Sequence, residues 1–494
     1  MIEYAAAIWA NDRFFDYKSF ARTADYCANV MRDIGLTQVE KLPVIADGKT
    51  AYGDWVMPRA WDVNGAFLRM ENDDTLLADY AAEPCSLVMY SAPADVIAEC
   101  VMADDLTPGK ILFTDLPPAD VLDFAVQHGA AGIVSDHMRL FPGIRDNREQ
   151  VYDTCMWVNN FAVPVNDTGL FAFSLTPRNG DMLRKRLTTG EKIFLHAKVD
   201  TRFYDGEAYT ISGLIPGATD EEICFYAHLY EPGAHDNASG CAVLLELARN
   251  FATMPKPKYG LRFIMGPECS GSHAYFVKHS ERRHRGCIVL DMVGTQDIDN
   301  TWLSIWQNPL ANLSYIDALG IAAIKEYERT HGAFKWESKP FSIGTDNILG
   351  DPCFNMPTIA FLAEPALSYH SSLDTPDRLE AEVLKRNCAI VGWIATQLAY
   401  DLKPTNTALK VYRRNVKGCL TFDNRPLLKK EWQPAWSHLL NIPLFWMDGK
   451  RTLWEVTVLS ANELGEKDVM SHFNMLCEYT EFLAKEGYIS CNES

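Results

Sequence analysis

The segment F-Y-A-H-L-Y-E-P-G-A-H-D-N-A-S-G, residues 225–240, decides how the chain reads. An apolar run ends at His228 and Asp236 follows eight positions later. A turn of small residues then leads into C-A-V-L-L-E-L-A-R, residues 241–249. The first stretch predicts a buried strand and the last a helix. An imidazole and a carboxylate held by strand end and loop, over a helix N-terminus, suit a hard-to-borderline divalent metal. Three later fragments carry matching groups: G-P-E-C-S-G-S with Glu268, V-L-D-M-V-G with Asp291 and S-Y-H-S-S-L-D-T-P-D with His370. Together they outline a two-metal site, and metal-assisted hydrolysis is the reaction it suggests.

Outward from that segment, residues 205–402 alternate strand and helix. E-I-C-F-Y-A-H, L-R-F-I-M-G, G-C-I-V-L-D-M-V and P-T-I-A-F-L-A read as buried strands. The helices between them are S-G-C-A-V-L-L-E-L-A-R-N-F, S-H-A-Y-F-V-K-H and I-D-A-L-G-I-A-A-I-K-E-Y. This predicts an α/β fold with a mostly parallel, mixed sheet flanked by helices. In such sheets ligands bind at the carboxyl ends of the strands. His228, Glu268 and Asp291 each fall at, or one residue past, such an end. His370 precedes Asp374 and Thr375, either of which reads as a helix cap before Pro376, leaving the histidine free to point into the cleft. His273, His279 and His284 read as surface residues on a polar helix, and His235 beside Asp236 is left open.

Residues 1–64 include F-D-Y-K-S-F-A-R-T-A-D-Y-C-A-N-V-M-R-D-I-G-L, a helical pattern stopped by Gly35. Residues 65–204 change to short apolar runs split by turn residues. There G-K-I-L-F-T-D-L reads as a strand, A-D-V-L-D-F-A-V-Q-H as a helix and G-A-A-G-I-V-S-D as a strand. N-G-D-M-L-R-K-R-L-T-T-G then reads as a short helix leading to the strand K-I-F-L-H-A-K-V-D. Residues 405–494 form a tail whose pattern suggests a small α+β, winged-helix-like unit for interaction or dimerisation.

A chain of 494 residues is too long for one core and predicts about three domains. Its formal net charge of −19 argues against nucleic acid or an anionic membrane as a main partner. No apolar run reaches the ~20 residues that cross a bilayer. The N-terminus carries an early Glu3 and no basic region, so no signal peptide is expected. Thirteen cysteines with no C-x-x-C pair fit reduced thiols in a cytoplasmic protein. The motifs H-E-x-x-H, G-x-S-x-G and G-x-x-x-x-G-K-[ST] are all absent.

Two resemblances follow from these motifs. Residues 65–204 resemble the protease-associated domain, through strand, helix, G-A-A-G-I-V, a V-P segment and L-x-x-x-L-x-x-G-x-K at the next strand. That module is inserted in several exopeptidase families and shapes substrate access. The rest of residues 1–400 is similar to the co-catalytic zinc aminopeptidases of peptidase clan MH, most specifically in G-A-H-D-N-A-S-G followed by L-L-E-L-A-R. The group also holds glutaminyl cyclases and glutamate carboxypeptidases. The resemblance implies a zinc exopeptidase-like domain from residues 1–64 and 205–402, with two zinc ions bridged by Asp236. His228 and Asp291 would complete one ion, and Glu268 and His370 the other. Such a site releases N-terminal residues from peptides, or cleaves a small amide, by a metal-activated water. A homo-oligomer is expected.

Two positions depart from the family pattern. The usual pair of adjacent glutamates, a general base and then a ligand, is here Pro267-Glu268. Glu268 is thus either ligand or base. The Asp that normally stands two residues after the histidine is here Tyr230, with Glu231 or Asp346 as substitutes for a missing carboxylate. These departures leave two alternatives: a single-metal glutaminyl-cyclase-like or amidohydrolase enzyme, and a degenerate peptidase serving as a binding or assembly module.

Overall fold

The apolar run ending at His228 forms the strand Glu221–Leu229, buried from Glu222 onward. It pairs in parallel with Gly260–Pro267 on one side and Arg283–Asp291 on the other. Arg283–Asp291 pairs in parallel with Thr358–Leu362. The alternation of side chains explains why these strands read as unbroken apolar runs. Ile223, Phe225 and Ala227 face a core shared with the helix Ala238–Ala252. Cys224 and Tyr226 face Tyr275 and Phe276 of the helix Ser270–Lys278 on the opposite side. A strand covered on both faces has no position left for a solvated polar residue.

The structure, a computed structural model, describes residues 1–492 except 54, 158–167, 313, 343, 355, 401–409 and 415–439. In spatial order the main sheet runs Thr37–Ala46, Gly206–Ile215, Gly260–Pro267, Glu221–Leu229, Arg283–Asp291, Thr358–Leu362, Leu303–Trp306 and Trp336–Lys339. Its first two strands run antiparallel to each other, and Leu303–Trp306 is antiparallel to Thr358–Leu362. The sheet is therefore mixed, with a parallel centre. The helix Tyr17–Ile34 packs beside it and ends at Gly35, whose φ of 95° is the left-handed conformation glycine adopts freely.

Thr37–Ala46 and Gly206–Ile215 are sheet neighbours although a second sheet is built entirely from the chain between them. That second sheet orders Leu76–Asp79, Ala60–Met70, Ile193–Tyr204, Ala94–Val101, Ile111–Thr114, Gly132–Ser135 and Ala172–Ser174. It begins at Ala60, inside the stretch read from sequence as part of the first unit, and closes at Tyr204. The V-P segment of the protease-associated resemblance, Val163-Pro164, lies outside the described residues. Near the C-terminus, Asp448–Thr452, Val411–Arg414 and Ile489–Asn492 form a three-stranded antiparallel sheet. Two helices, Leu453–Leu464 and Val469–Lys485, accompany it, and the first packs on Ile316–His331. Among the described residues no helix is long and apolar enough to cross a membrane, and every described cysteine is free.

Gly240 lies in the first turn of the helix Ala238–Ala252, where alanine ordinarily stabilises by about 1 kcal/mol. Here an added Cβ would sit 2.4 Å from both Asn237 Oδ1 and the Leu290 carbonyl oxygen. Overpacking of this kind costs about 1–3 kcal/mol and reverses the sign. Gly240→Ala is therefore expected to lower the thermal unfolding midpoint, and a raised midpoint would show that the contact is not tight.

Candidate metal centre

Four neighbouring parallel strands deliver their carboxyl ends to one place. His228 is the penultimate residue of Glu221–Leu229, Asp291 is the last of Arg283–Asp291, and Glu268 directly follows Gly260–Pro267. His370 lies in the loop after Thr358–Leu362. Just beyond these strand ends the backbone turns through left-handed conformations at non-glycine residues: Tyr230 (φ 78°), Cys269 (φ 53°), Met292 (φ 46°) and His370 (φ 49°). Such strain persists only where surrounding contacts hold it, and it gathers at working sites.

Asp236 does not cap the following helix. The cap is Asn237, whose Oδ1 accepts from Gly240 N at 3.1 Å and from Met292 N at 3.1 Å. Its Nδ2 donates to the Leu290 carbonyl at 2.8 Å, so one amide ties the loop of Asp236 to the strand of Asp291. Nor does Asp374 cap a helix. Its two oxygens accept from His235 N at 2.6 Å and Asp236 N at 3.0 Å, while Thr375 heads the short 3-10 turn Pro376–Arg378 without a capping bond and donates its Oγ1 to the Leu373 carbonyl instead. His235 is buried, with Nδ1 accepting from Gly294 N at 3.2 Å.

The centre is organised around Asp236. Its Oδ1 lies 3.2 Å from His228 Nε2 and its Oδ2 lies 3.2 Å from His370 Nε2. Two groups of donor atoms, each within 4.8 Å of one another, share this carboxylate: His228, Asp236 and Asp291, and Glu231, Asp236 and His370. Glu231, not Glu268, thus completes the second group; Glu268 belongs to neither. The reason is the turn at Tyr230, which brings Glu231 Oε2 to 3.6 Å from His228 Nε2. Tyr230 turns its ring the other way, onto Tyr17 at 5.2 Å and Phe20 at 5.0 Å. The second face of His228 meets Asp346, with Oδ2 3.4 Å from Nδ1. Asp346 is fully buried and its Oδ1 also accepts from Cys269 N at 2.8 Å and Ser272 Oγ at 2.9 Å.

This much buried acid perturbs Asp291, Glu231, Glu268, Asp236 and His228. Burial lifts Asp291 and Glu231 well above the carboxylate range and pushes Glu268 up to about 7. Burial also opposes ionisation of Asp236, yet hydrogen bonds from His228 and His370 hold it well below its ordinary value. His228 loses to burial but gains more from Asp291 and Glu231, which raise it well above an ordinary imidazole. Protons here stand where cations would neutralise the same carboxylates, and metal binding would displace them. Asp291 Oδ1 is buried without a hydrogen-bond partner, as an atom reserved for a metal would be. Neutral imidazoles and carboxylates are a fitting donor set for Zn²⁺.

Two of the other histidines differ from the sequence reading, while His279 ends the helix Ser270–Lys278 and is partly exposed. His273 is buried, with Nδ1 2.7 Å from the Cys269 carbonyl oxygen. His284 is on the strand Arg283–Asp291, and burial drops it to about 4. The sequence reading missed Asp374 and Asn237 as supports of the centre. Asn237 stood in view within the quoted segment, whereas nothing local links Asp374 to a residue 138 positions earlier.

The family described as "Domain of unknown function (DUF4910)" matches residues 20–401, and the chain belongs to it. A Clostridium acetobutylicum protein, named as a candidate polysaccharide biosynthesis protein with an aminopeptidase-like domain, is 22% identical over 281 residues. The match covers 56% of this chain and 46% of that protein, so the chain spans about half the length of this relative. The crystal structure of a candidate peptidase from Clostridium acetobutylicum superimposes with a TM-score of 0.59 at 15% identity, over 96% of this chain and 98% of that one. A zinc aminopeptidase from Bacillus subtilis does so with 0.57 at 19% identity, over 82% and 96%. These likenesses show that the chain has the fold of the aminopeptidases.

Metal-ligating histidines depend on the partner of their other nitrogen, and removing that partner typically costs about 10- to 100-fold in affinity. Asp346→Asn is expected to weaken zinc binding by that factor in a chelator competition. Unchanged affinity would show that Asp346 does not orient His228.

Proposed function

We propose that this DUF4910 chain is a zinc-dependent, aminopeptidase-like hydrolase that removes N-terminal residues from peptides. The observation that carries the reading is Asp236, buried at the strand ends with its two oxygens each 3.2 Å from a different imidazole. A carboxylate between two cations relieves their repulsion, and this is what favours two ions over one here. We assign His228, Asp236 and Asp291 to one ion and Glu231, Asp236 and His370 to the other, in keeping with the two donor groups. When bound, two zinc ions polarise a scissile carbonyl and lower the pKa of water toward neutrality.

The rest of the chemistry belongs to the chain. With Glu231 in the second donor group, Glu268 is free to be the general base. Its position at the end of Gly260–Pro267 and its carboxyl, pushed up to about 7 by burial, suit a group that takes a proton from the attacking water and returns it to the leaving amine. Asp346 and Asp374 are positioning residues, one behind His228 and one beneath Asp236. In this reading residues 60–204 are a protease-associated-like insertion governing access, and the C-terminal unit is a winged-helix-like module.

The assignment separates two glutamates. Glu231→Gln should lower bound zinc from two ions per chain to one, measured by elemental analysis of protein purified without chelator. Glu268→Gln should keep both ions while slowing hydrolysis of aminoacyl-anilides about 10²- to 10⁴-fold, the usual contribution of a general base. The reverse pattern, with Glu268→Gln losing an ion, would return Glu268 to the ligand role. Zinc-loaded wild-type protein inert toward all N-terminally free peptides would refute the reading.

A further inference from the structure

The loop that carries His370 is held from outside the main sheet. Arg145, from the chain between the two sheet-one strands Thr37–Ala46 and Gly206–Ile215, is fully buried and reaches across to it. Its Nε donates to the Leu367 carbonyl at 3.0 Å, and Nη2 donates to the carbonyls of Leu367 and, at 3.0 Å, Tyr369. Nη1 donates to the carbonyl of Arg139 at 3.1 Å. Among the described residues no carboxylate stands within ion-pair distance of this guanidinium. Nη1 also meets Met138 Sδ at 3.4 Å and Met156 Sδ at 3.5 Å. A buried cation held by carbonyls and thioethers without a paired carboxylate is costly, and burial lowers its pKa to about 10. Structural stability alone is a poor reason to keep one, since apolar packing would serve as well.

The same stretch makes further backbone bonds to the loop. Trp157 N donates to the His370 carbonyl at 2.8 Å and Ser372 N to the Cys155 carbonyl at 2.9 Å. Cys155 N donates to Ser372 Oγ at 3.1 Å. From the opposite side, Leu367 N donates to the Asp299 carbonyl at 3.0 Å and Ser368 Oγ to Asp299 Oδ2 at 2.7 Å. His370 itself is left-handed (φ 49°) and one-quarter exposed, its ring stacked on Tyr369 at 3.9 Å and set edge-on to Trp157 at 4.6 Å, so the clamped backbone on either side carries both of those aromatic contacts as well. The clamp fixes the carbonyls on either side of residue 368 and at 370, and with them the direction of the imidazole.

We infer that Arg145 is a positioning residue for the second metal, and that the unit built on residues 60–204 supplies one wall of the metal centre through it. The inference rests on the two-ion reading above. Its consequence is selective: loosening the clamp moves His370 and leaves His228 and Asp291, on sheet strands, where they are.

The test is a zinc titration of the full chain against a chromophoric chelator, resolving two binding steps, for wild type, Arg145→Gln, Arg145→Lys and Ser372→Ala. Circular dichroism and thermal unfolding report folding. Arg145→Gln should weaken one of the two steps about 10- to 100-fold and leave the other within about twofold. Arg145→Lys, a point donor that cannot fork between two carbonyls, should recover only part of it. Should Arg145→Gln fail to fold, Ser372→Ala carries the same expectation with a smaller loss confined to one step. Two unchanged steps, or two steps weakened alike, would overturn the inference while leaving the two-ion reading intact. Wild-type protein that binds fewer than two ions would overturn both.

Discussion

One carboxylate faced by two imidazoles is the constraint on which the rest of this structure depends. Asp236 presents Oδ1 to His228 and Oδ2 to His370, 3.2 Å each. Neither histidine is near it by chance. His228 is delivered by a strand buried on both faces, and His370 by a loop clamped between Arg145 and Asp299. Asp236 is in turn held by Asp374 through its own N–H and through that of His235. Burial of so many acids in one spot is unfavourable by itself, and cations in the donor groups would relieve it.

Much of this was legible in the sequence, for a physical reason. Central parallel strands are apolar throughout because both faces are covered, so their ends can be read within a residue or two, and groups at those ends stand out. Thus the position of His228, Glu268 and Asp291 at neighbouring strand ends is legible from local pattern. That Glu231 lies within reach of Asp236 and His370 is not legible. It depends on the left-handed turn at Tyr230, whose ring is drawn toward Tyr17 and Phe20 more than 200 positions earlier and whose N–H donates to Asp12 Oδ2 at 3.0 Å. The same turn accounts for an aromatic residue where the family resemblance called for an acid. Asp346 lies against His228 Nδ1 from a segment over 100 positions away.

Arg145 illustrates the limit more sharply. In sequence it is one arginine in the polar stretch R-D-N-R-E, and only the fold shows it spanning 224 positions to the loop of His370. Two sheets that read as separate units therefore meet at the metal centre, with the second contributing hydrogen bonds and no donor atom from its described residues to the two donor groups. The chain between Thr37–Ala46 and Gly206–Ile215 thus holds the loop of His370 from outside the main sheet.

The account stands or falls on the sharing of Asp236. Crystals grown with zinc, with diffraction recorded on both sides of the zinc absorption edge, would locate the ions directly. Two anomalous peaks per chain are expected, one beside His228 and Asp291 and one beside Glu231 and His370, with Asp236 contacting both. A single peak, or two peaks with Asp236 touching only one, would contradict it.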